Sequence, residues 1–337
     1  MTNQKPIGSL ALKKQEQEFK SLIREIDKTI QSYIAKRKPV TLYSPVQYLF
    51  DGGGKRLRAI LVLLSNSIFA KNYRKSLHAA AAIEILHNFS LVHDDIMDHD
   101  DLRRGRSTIH KKWNTNIAIL SGDVLSAMAF KALSACPEKY VQKLVEIYSD
   151  AFIGLCEGQA LDKEFESRSD VKEADYIKMI SQKTALLFSV ATQTGAILGG
   201  AKSGQEKALR EFGFYLGMAF QIQDDLLDII SDEKVLGKDV GSDLAEGKKT
   251  YISILSSETD RGRGMVNVFQ SLTDEEIRRK TLDEFKRYIQ SSGVQTRTQK
   301  LIDKYFQTAL NRLSSFKNSK AKASLVQLTH QMWKRQN

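Results

Sequence analysis

At 337 residues, 42% hydrophobic and 27% charged, the chain can fill one large core or two ordinary domains and is too apolar to be disordered. Its two cysteines lack ligand spacing, which excludes a disulfide framework or a cysteine zinc site and leaves them as small buried hydrophobes. The net charge of +11 is scattered apart from "YIAKRKP" and residues 316–337, where five basic residues meet no acidic one, so an anionic small substrate suits it better than nucleic acid.

The basic terminal stretch, about 315–337, reads as a solvated tail. No apolar run reads as a membrane span and "MTNQKPIGSL" lacks the apolar core of a secretory signal, so the expected location is cytoplasmic.

Residues 11–36 form a charged helical pattern ended by "RKPVTLYSP". "DGGGKRLRAILVLLSNSIFA" is a flexible turn feeding a buried helix, and 76–97 is helical and mostly apolar. "DLRRGRSTIHKKWNTN" interrupts the apolar pattern before "AILSGDVLSAMAFKALSA" resumes it, and Cys136-Pro137 marks another boundary. Helical patterns follow at about 138–165, 173–199, 205–232 and 249–270. All four prolines precede residue 138, so long helices are expected beyond it. Alternating strand runs are missing. The expectation is an all-α, single-domain bundle of about a dozen helices around a central cavity, spanning 1–337.

Within it, "HDDIMDHDD" at 93–101 ends an apolar run, and "FQIQDDLLDII" repeats the pattern 130 residues later. Residues four apart on a helix are rotated by about 40° and residues seven apart by about 20°. Asp94, Asp98 and, if the helix persists, Asp101 therefore share a face with His87, and Asp224 and Asp228 do the same on the later helix. Buried like charges need compensation, and a hard divalent cation with oxygen ligands supplies it. Magnesium fits, because it keeps waters while bridging one or two carboxylates to substrate phosphates. Phosphate partners are at hand: Lys55, Arg56 and Arg58 in "GGGKRLR", and Arg103 and Arg104 in "LRRG". "GGGKRLR" lacks the spacing and following hydroxyl of an ATP-binding loop.

Taken in order, "GGKRLR", "HDDIMD", "LRRG", "SGD", "EGQ", "QKTALLF", "AFQIQDDLLD" and "GKDVGSDLAEGKKT" resemble the trans-isoprenyl diphosphate synthases, the polyprenyl synthetase family, over a core of about 50–255. The resemblance implies head-to-tail condensation of isopentenyl diphosphate with an allylic diphosphate (dimethylallyl, geranyl or farnesyl). It implies three Mg²⁺ ions on Asp94, Asp98 and Asp224, with Asp95, Asp225 and Asp228 supporting. Arg103, Lys183, Thr184, Gln221, Lys238 and Lys248 then resemble contacts to the allylic diphosphate, and Lys55, Arg58, His87 and Arg104 the isopentenyl diphosphate site. Of these, Asp94, Asp95, Asp98, Arg103, Lys183, Asp224, Asp225 and Lys238 are the expected catalytic set.

Ala59 stands where the family often has proline, with an expected effect on local stability alone. Phe89 and Ser90, five and four residues before Asp94, resemble the floor that limits product length, and Phe89 lies about 7.5 Å along the helix from Asp94. A ring there resembles the arrangement in short-chain members of the family, which implies fifteen- or twenty-carbon products, with geranylgeranyl ahead of farnesyl diphosphate. The family usually forms homodimers. A terpene cyclase is disfavoured by "QDDLLD" together with "GGGKRLR", and a nucleic-acid or lipid binder leaves both aspartate clusters unexplained.

Overall fold

A computed structural model describes residues 9–231, 240–272 and 274–334. Nearly every described element is helical. In chain order they are α1 (Ser9–Ile34), α2 (Val40–Asp51), α3 (Leu57–Ser67), α4 (Leu77–Met97), β1 (Leu102–Arg103), β2 (Arg106–Ser107), α5 (Ile109–Lys112), α6 (Thr115–Leu133), α7 (Glu138–Glu166), α8 (Glu173–Ile180), α9 (Leu186–Gly199) and α10 (Ser203–Ile230). Then come α11 (Ser242–Ala245), α12 (Tyr251–Ser256), α13 (Asp260–Ser271), α14 (Glu275–Ser291), α15 (Val294–Leu313) and α16 (Lys320–Trp333). The one described sheet is a two-stranded antiparallel hairpin, β1 with β2, formed by the "LRRGRS" interruption.

α4 is the central rod. Ala79–Ala82 give it high helix propensity and no bulk, and all four are fully buried. It packs along α6, with α3 beside it, while α9 lies against both α3 and α10. Two glycines let α9 and α10 approach: a Cβ at Gly213 would meet the Phe188 carbonyl oxygen at 2.3 Å, and one at Gly217 the Ala185 Cα at 2.6 Å. Between α8 and α9 the chain makes a π turn, Ser181–Ala185, whose extra residue re-aims the side chains it carries.

Several local expectations change. α6 has the length and apolarity of a membrane span, but Ala118, Ser121, Leu125, Ala129 and Ala132 on it are buried in the bundle. The basic terminal stretch is not a solvated tail: α16 buries Leu325, Leu328 and Met332, and the Trp333 carbonyl accepts from Gln223 Nε2 at 3.0 Å. The 249–270 pattern is two helices, α12 and α13. Cys136 is buried as expected, whereas Cys156 is exposed.

Candidate active site

α4 ends at Met97, with Asp98 as its C-cap and His99 at φ 57° breaking the helix. Asp94 therefore faces inward on the last turn, where it feels the charges of Lys183, Asp98, Arg103 and Asp162, and burial pushes its carboxyl up. Asp95 is buried and accepts from Arg103 Nε; burial raises it to about 7, against the pull of Arg103. Asp98 is held by two lysines, Lys163 Nζ at 3.2 Å and Lys248 Nζ at 3.0 Å. Burial works to raise its pKa, and the ammoniums of Lys248 and Lys183 outweigh burial and keep it low. Asp101 does not share this face. It lies beyond the helix end, exposed and paired with Lys111 at 2.7 Å.

The second cluster sits near the end of α10. Asp224 is half-buried, and its charge reaches Arg58 and Asp225. Asp225 is buried, with Tyr176 donating to Oδ2 at 2.6 Å and Gln221 Nε2 to Oδ1 at 2.8 Å. Burial beside Asp243 pushes Asp225 up to about 8. Asp228 turns away to cap α11, accepting from Ser242 Oγ at 3.2 Å and the Asp243 amide at 3.3 Å. Lys183 and Thr184 ride on the π turn: Lys183 Nζ meets Asp162 Oδ2 at 2.5 Å, and Thr184 donates to Gln221 Oε1 at 2.7 Å. Lys248 also pairs with Asp243 and Glu246 at 3.5 and 2.9 Å. A cavity of about 90 Å³ lies among Asp162, Tyr176, Lys183, Gln221, Asp225, Asp243 and Lys248.

Both carboxylate clusters thus stand at helix C-termini, where the macrodipole is already negative. Carboxylates are unfavourable there twice over, and cations are favoured twice over. Among the described residues no three His, Cys, Asp or Glu side chains converge into a ready-made metal cage. Magnesium does not need one. Its preference for one or two carboxylates completed by water and phosphate oxygens matches Asp94, Asp98 and Asp224 on two separate helices.

A second cationic group stands apart. Arg58 is buried with its guanidinium 4.5 Å from the Phe188 ring centroid; burial brings its pKa down to about 10, against the pull of Glu84 and Asp224. His87 is half-buried and held well below the ordinary imidazole value by burial and by Arg58, Arg104, Arg103 and Arg56. Lys55 is exposed on the glycine loop, and Arg104 donates from the hairpin to the Gly53 carbonyl. The hairpin therefore sends Arg103 to the first aspartate cluster and Arg104 to the glycine loop. Tyr48 on α2 fixes its base, donating to the Ser107 carbonyl at 3.0 Å with Arg106 stacked 4.0 Å above its ring.

Arg56 is not a phosphate contact. It is 2% exposed and turned inward, pairing with Asp27 of α1 at 2.8 Å and Glu84 of α4 at 3.6 Å.

Comparison with known proteins decides the family: the model of the family described as polyprenyl synthetase matches residues 39–289. The chain belongs to the polyprenyl synthetase family. A polyprenyl synthetase relative, geranylgeranyl diphosphate synthase of Sulfolobus acidocaldarius, is 40% identical over 304 residues, 88% of this chain and 90% of its own. The geranylgeranyl diphosphate synthase of Methanosarcina mazei is 43% identical over 243 residues, 72% and 75% of the two chains. Among solved structures, geranylgeranyl pyrophosphate synthetase from Pyrococcus horikoshii superposes with a TM-score of 0.91 at 35% identity, covering 96% of this chain and 99% of that one.

For this polyprenyl synthetase the structure brings Asp94, Asp95, Asp98, Arg103, Lys183, Thr184, Gln221, Asp225 and Lys248 together, with Arg58, His87 and Arg104 beside them and Lys55 exposed on the glycine loop. Lys238 lies outside the described residues. Sequence reasoning missed Asp162, Lys163, Tyr176 and Asp243. A signal existed for Asp162 and Lys163, which follow "EGQ" by three and four positions and so share its helix face.

Proposed function

We propose that the protein condenses isopentenyl diphosphate head-to-tail with an allylic diphosphate, releasing pyrophosphate and an all-trans prenyl diphosphate of fifteen to twenty carbons, with twenty favoured. The observation that carries this reading is the pairing of two carboxylate clusters at helix C-termini with two separate cationic groups, one for each diphosphate. Asp94, Asp98 and Asp224, with Asp95, Asp225 and Asp228 behind them, would hold magnesium, which would supply Lewis-acid stabilisation of the leaving diphosphate; three ions is the number implied by the family resemblance.

The chain supplies the rest. Arg103, Lys183, Thr184, Gln221, Lys238 and Lys248 hold the allylic diphosphate, while Lys55, Arg58, His87 and Arg104 hold the second one, so two anions that repel in water are fixed at a reacting distance. Buried helices exclude water from the carbocation that forms when the allylic C–O bond breaks. The isopentenyl double bond attacks that carbon, and the released pyrophosphate takes the proton lost from the product. Phe89 is 7% exposed and stacks edge-on against Phe152 of α7 at 5.0 Å, which supports its reading as the floor, with Ser90 beside it.

A homodimer, working in the cytoplasm, is part of the same reading. Its support is apolar surface on α6 and α7, where Ile119, Leu120 and Ile153 are 42%, 51% and 59% exposed. The test incubates purified protein with Mg²⁺, labelled isopentenyl diphosphate and each of the three allylic diphosphates, and reads product length by mass spectrometry. A twenty-carbon product is expected; no condensation from folded protein overturns the assignment.

A further inference from the structure

Tyr176 belongs to no motif used above, yet it is buried against the second carboxylate cluster at 1% exposure. Its hydroxyl donates to Asp225 Oδ2 at 2.6 Å, while Gln221 Nε2 donates to Oδ1 at 2.8 Å and itself accepts from Thr184 at 2.7 Å. Both oxygens of Asp225 are therefore fixed, one from α8 and one from α10 through the π turn. The phenol is held in its own place: its ring lies 5.8 Å from that of Tyr251, whose hydroxyl donates to Glu173 Oε1 at 3.1 Å. Glu173 is tied in turn to Arg297 of α15 at 2.8 Å.

Asp224 and Asp225 are consecutive on α10, so their side chains leave the helix about 100° apart, and Asp225 is the one that lines the cavity. A carboxylate released from the phenol would swing into the cavity that Tyr176 and Asp225 line together with Lys183 and Lys248. There it would compete for the cations that Asp224 is placed to meet. Partners that orient a ligating carboxylate matter to affinity almost as much as the ligand itself.

We infer that Tyr176 is a positioning residue: by holding Asp225 against Gln221 it sets how the second cluster presents Asp224 to metal and allylic diphosphate. This rests on the prenyl diphosphate synthase reading of the site. The test is Tyr176→Phe, alone and with Asp225→Asn. Mn²⁺ binding is followed by electron paramagnetic resonance with inorganic pyrophosphate present, and KM is measured for each substrate.

Y176F is expected to weaken Mn²⁺ binding by about tenfold, to raise KM for the allylic diphosphate by a similar factor, and to leave KM for isopentenyl diphosphate unchanged. Adding Y176F to D225N should cost nothing more. Unchanged Mn²⁺ affinity in folded Y176F, or both KM values rising together, overturns the inference. If Y176F does not fold, 3,5-difluorotyrosine at 176, a stronger donor of the same shape, must shift Mn²⁺ affinity, and no shift overturns it. A wild-type protein that fails to condense its substrates defeats the functional reading instead, and the Mn²⁺ comparison still decides the role of Tyr176.

Discussion

A Cβ built on Gly158 would lie 2.4 Å from the backbone nitrogen of Lys183. The glycine of "EGQ" is thus the point where α7 presses on the π turn, and that pressure places Lys183 and Thr184 in the site. Gly158→Ala should destabilise the protein by about 1–3 kcal/mol through overpacking. It should also cut condensation roughly tenfold to a hundredfold by displacing Lys183, with KM for the allylic diphosphate rising and that for isopentenyl diphosphate holding. Thermal melts and initial rates check both.

Arg56 offers a test of the glycine loop. Removing it takes an ion-pair partner from Glu84, which is 2% exposed, and breaking a buried pair costs about 3–5 kcal/mol. Arg56→Met should therefore lose stability on that scale in denaturant titrations, and Glu84→Gln in the same chain should restore part of it. A loss no larger than that of an exposed arginine would refute the pairing.

His87 should make stability sensitive to acid. Burial and four arginines depress its folded pKa, so below pH 6.5 the unfolded chain binds a proton that the folded chain refuses. Unfolded protein then holds more protons, and stability falls as pH drops, by up to about 1.4 kcal/mol per unit. The stability of wild type minus that of His87→Gln isolates this contribution, because other groups cancel. The difference should be flat above pH 6.5 and decline below it.

Phe89→Ala should lengthen the product, since the ring lies deeper along α4 than Asp94 and closes on Phe152. The cavity will cost about 3–5 kcal/mol, so product analysis needs protein shown to be folded. An unaltered product spectrum would remove Phe89 from the floor.

Much of this was legible in the residues. The all-helical class followed from apolar periodicity, and spacing located both aspartate pairs near helix ends, but Asp101 falls beyond the end of α4 and Asp228 turns away to α11. What stayed hidden depends on direction across space. "GGGKRLR" offers three cations in four residues, and only the positive φ of Arg56, 49°, sends the middle one into the core. The π turn leaves the apolar pattern of 173–199 intact, so its effect on Lys183 is silent in sequence. Asp225 and Asp228 look like repeats of Asp95 and Asp98, but their partners, Tyr176 and the α11 amides, come from distant segments. The terminal basic stretch misled because its lysines and arginine flank a run without Lys or Arg, 323–333, that buries Leu325, Leu328 and Met332.

Each carboxylate oxygen of Asp98 meets a lysine ammonium. Lys163 and Lys248 already neutralise that carboxylate, and Lys248 serves Asp243 and Glu246 as well. The acidic end of α4 thus carries its own counter-charge and does not depend on metal to fold. A chelator such as EDTA should stop condensation completely while barely lowering the melting temperature, so that a silenced enzyme recovers on adding Mg²⁺ back without any refolding step.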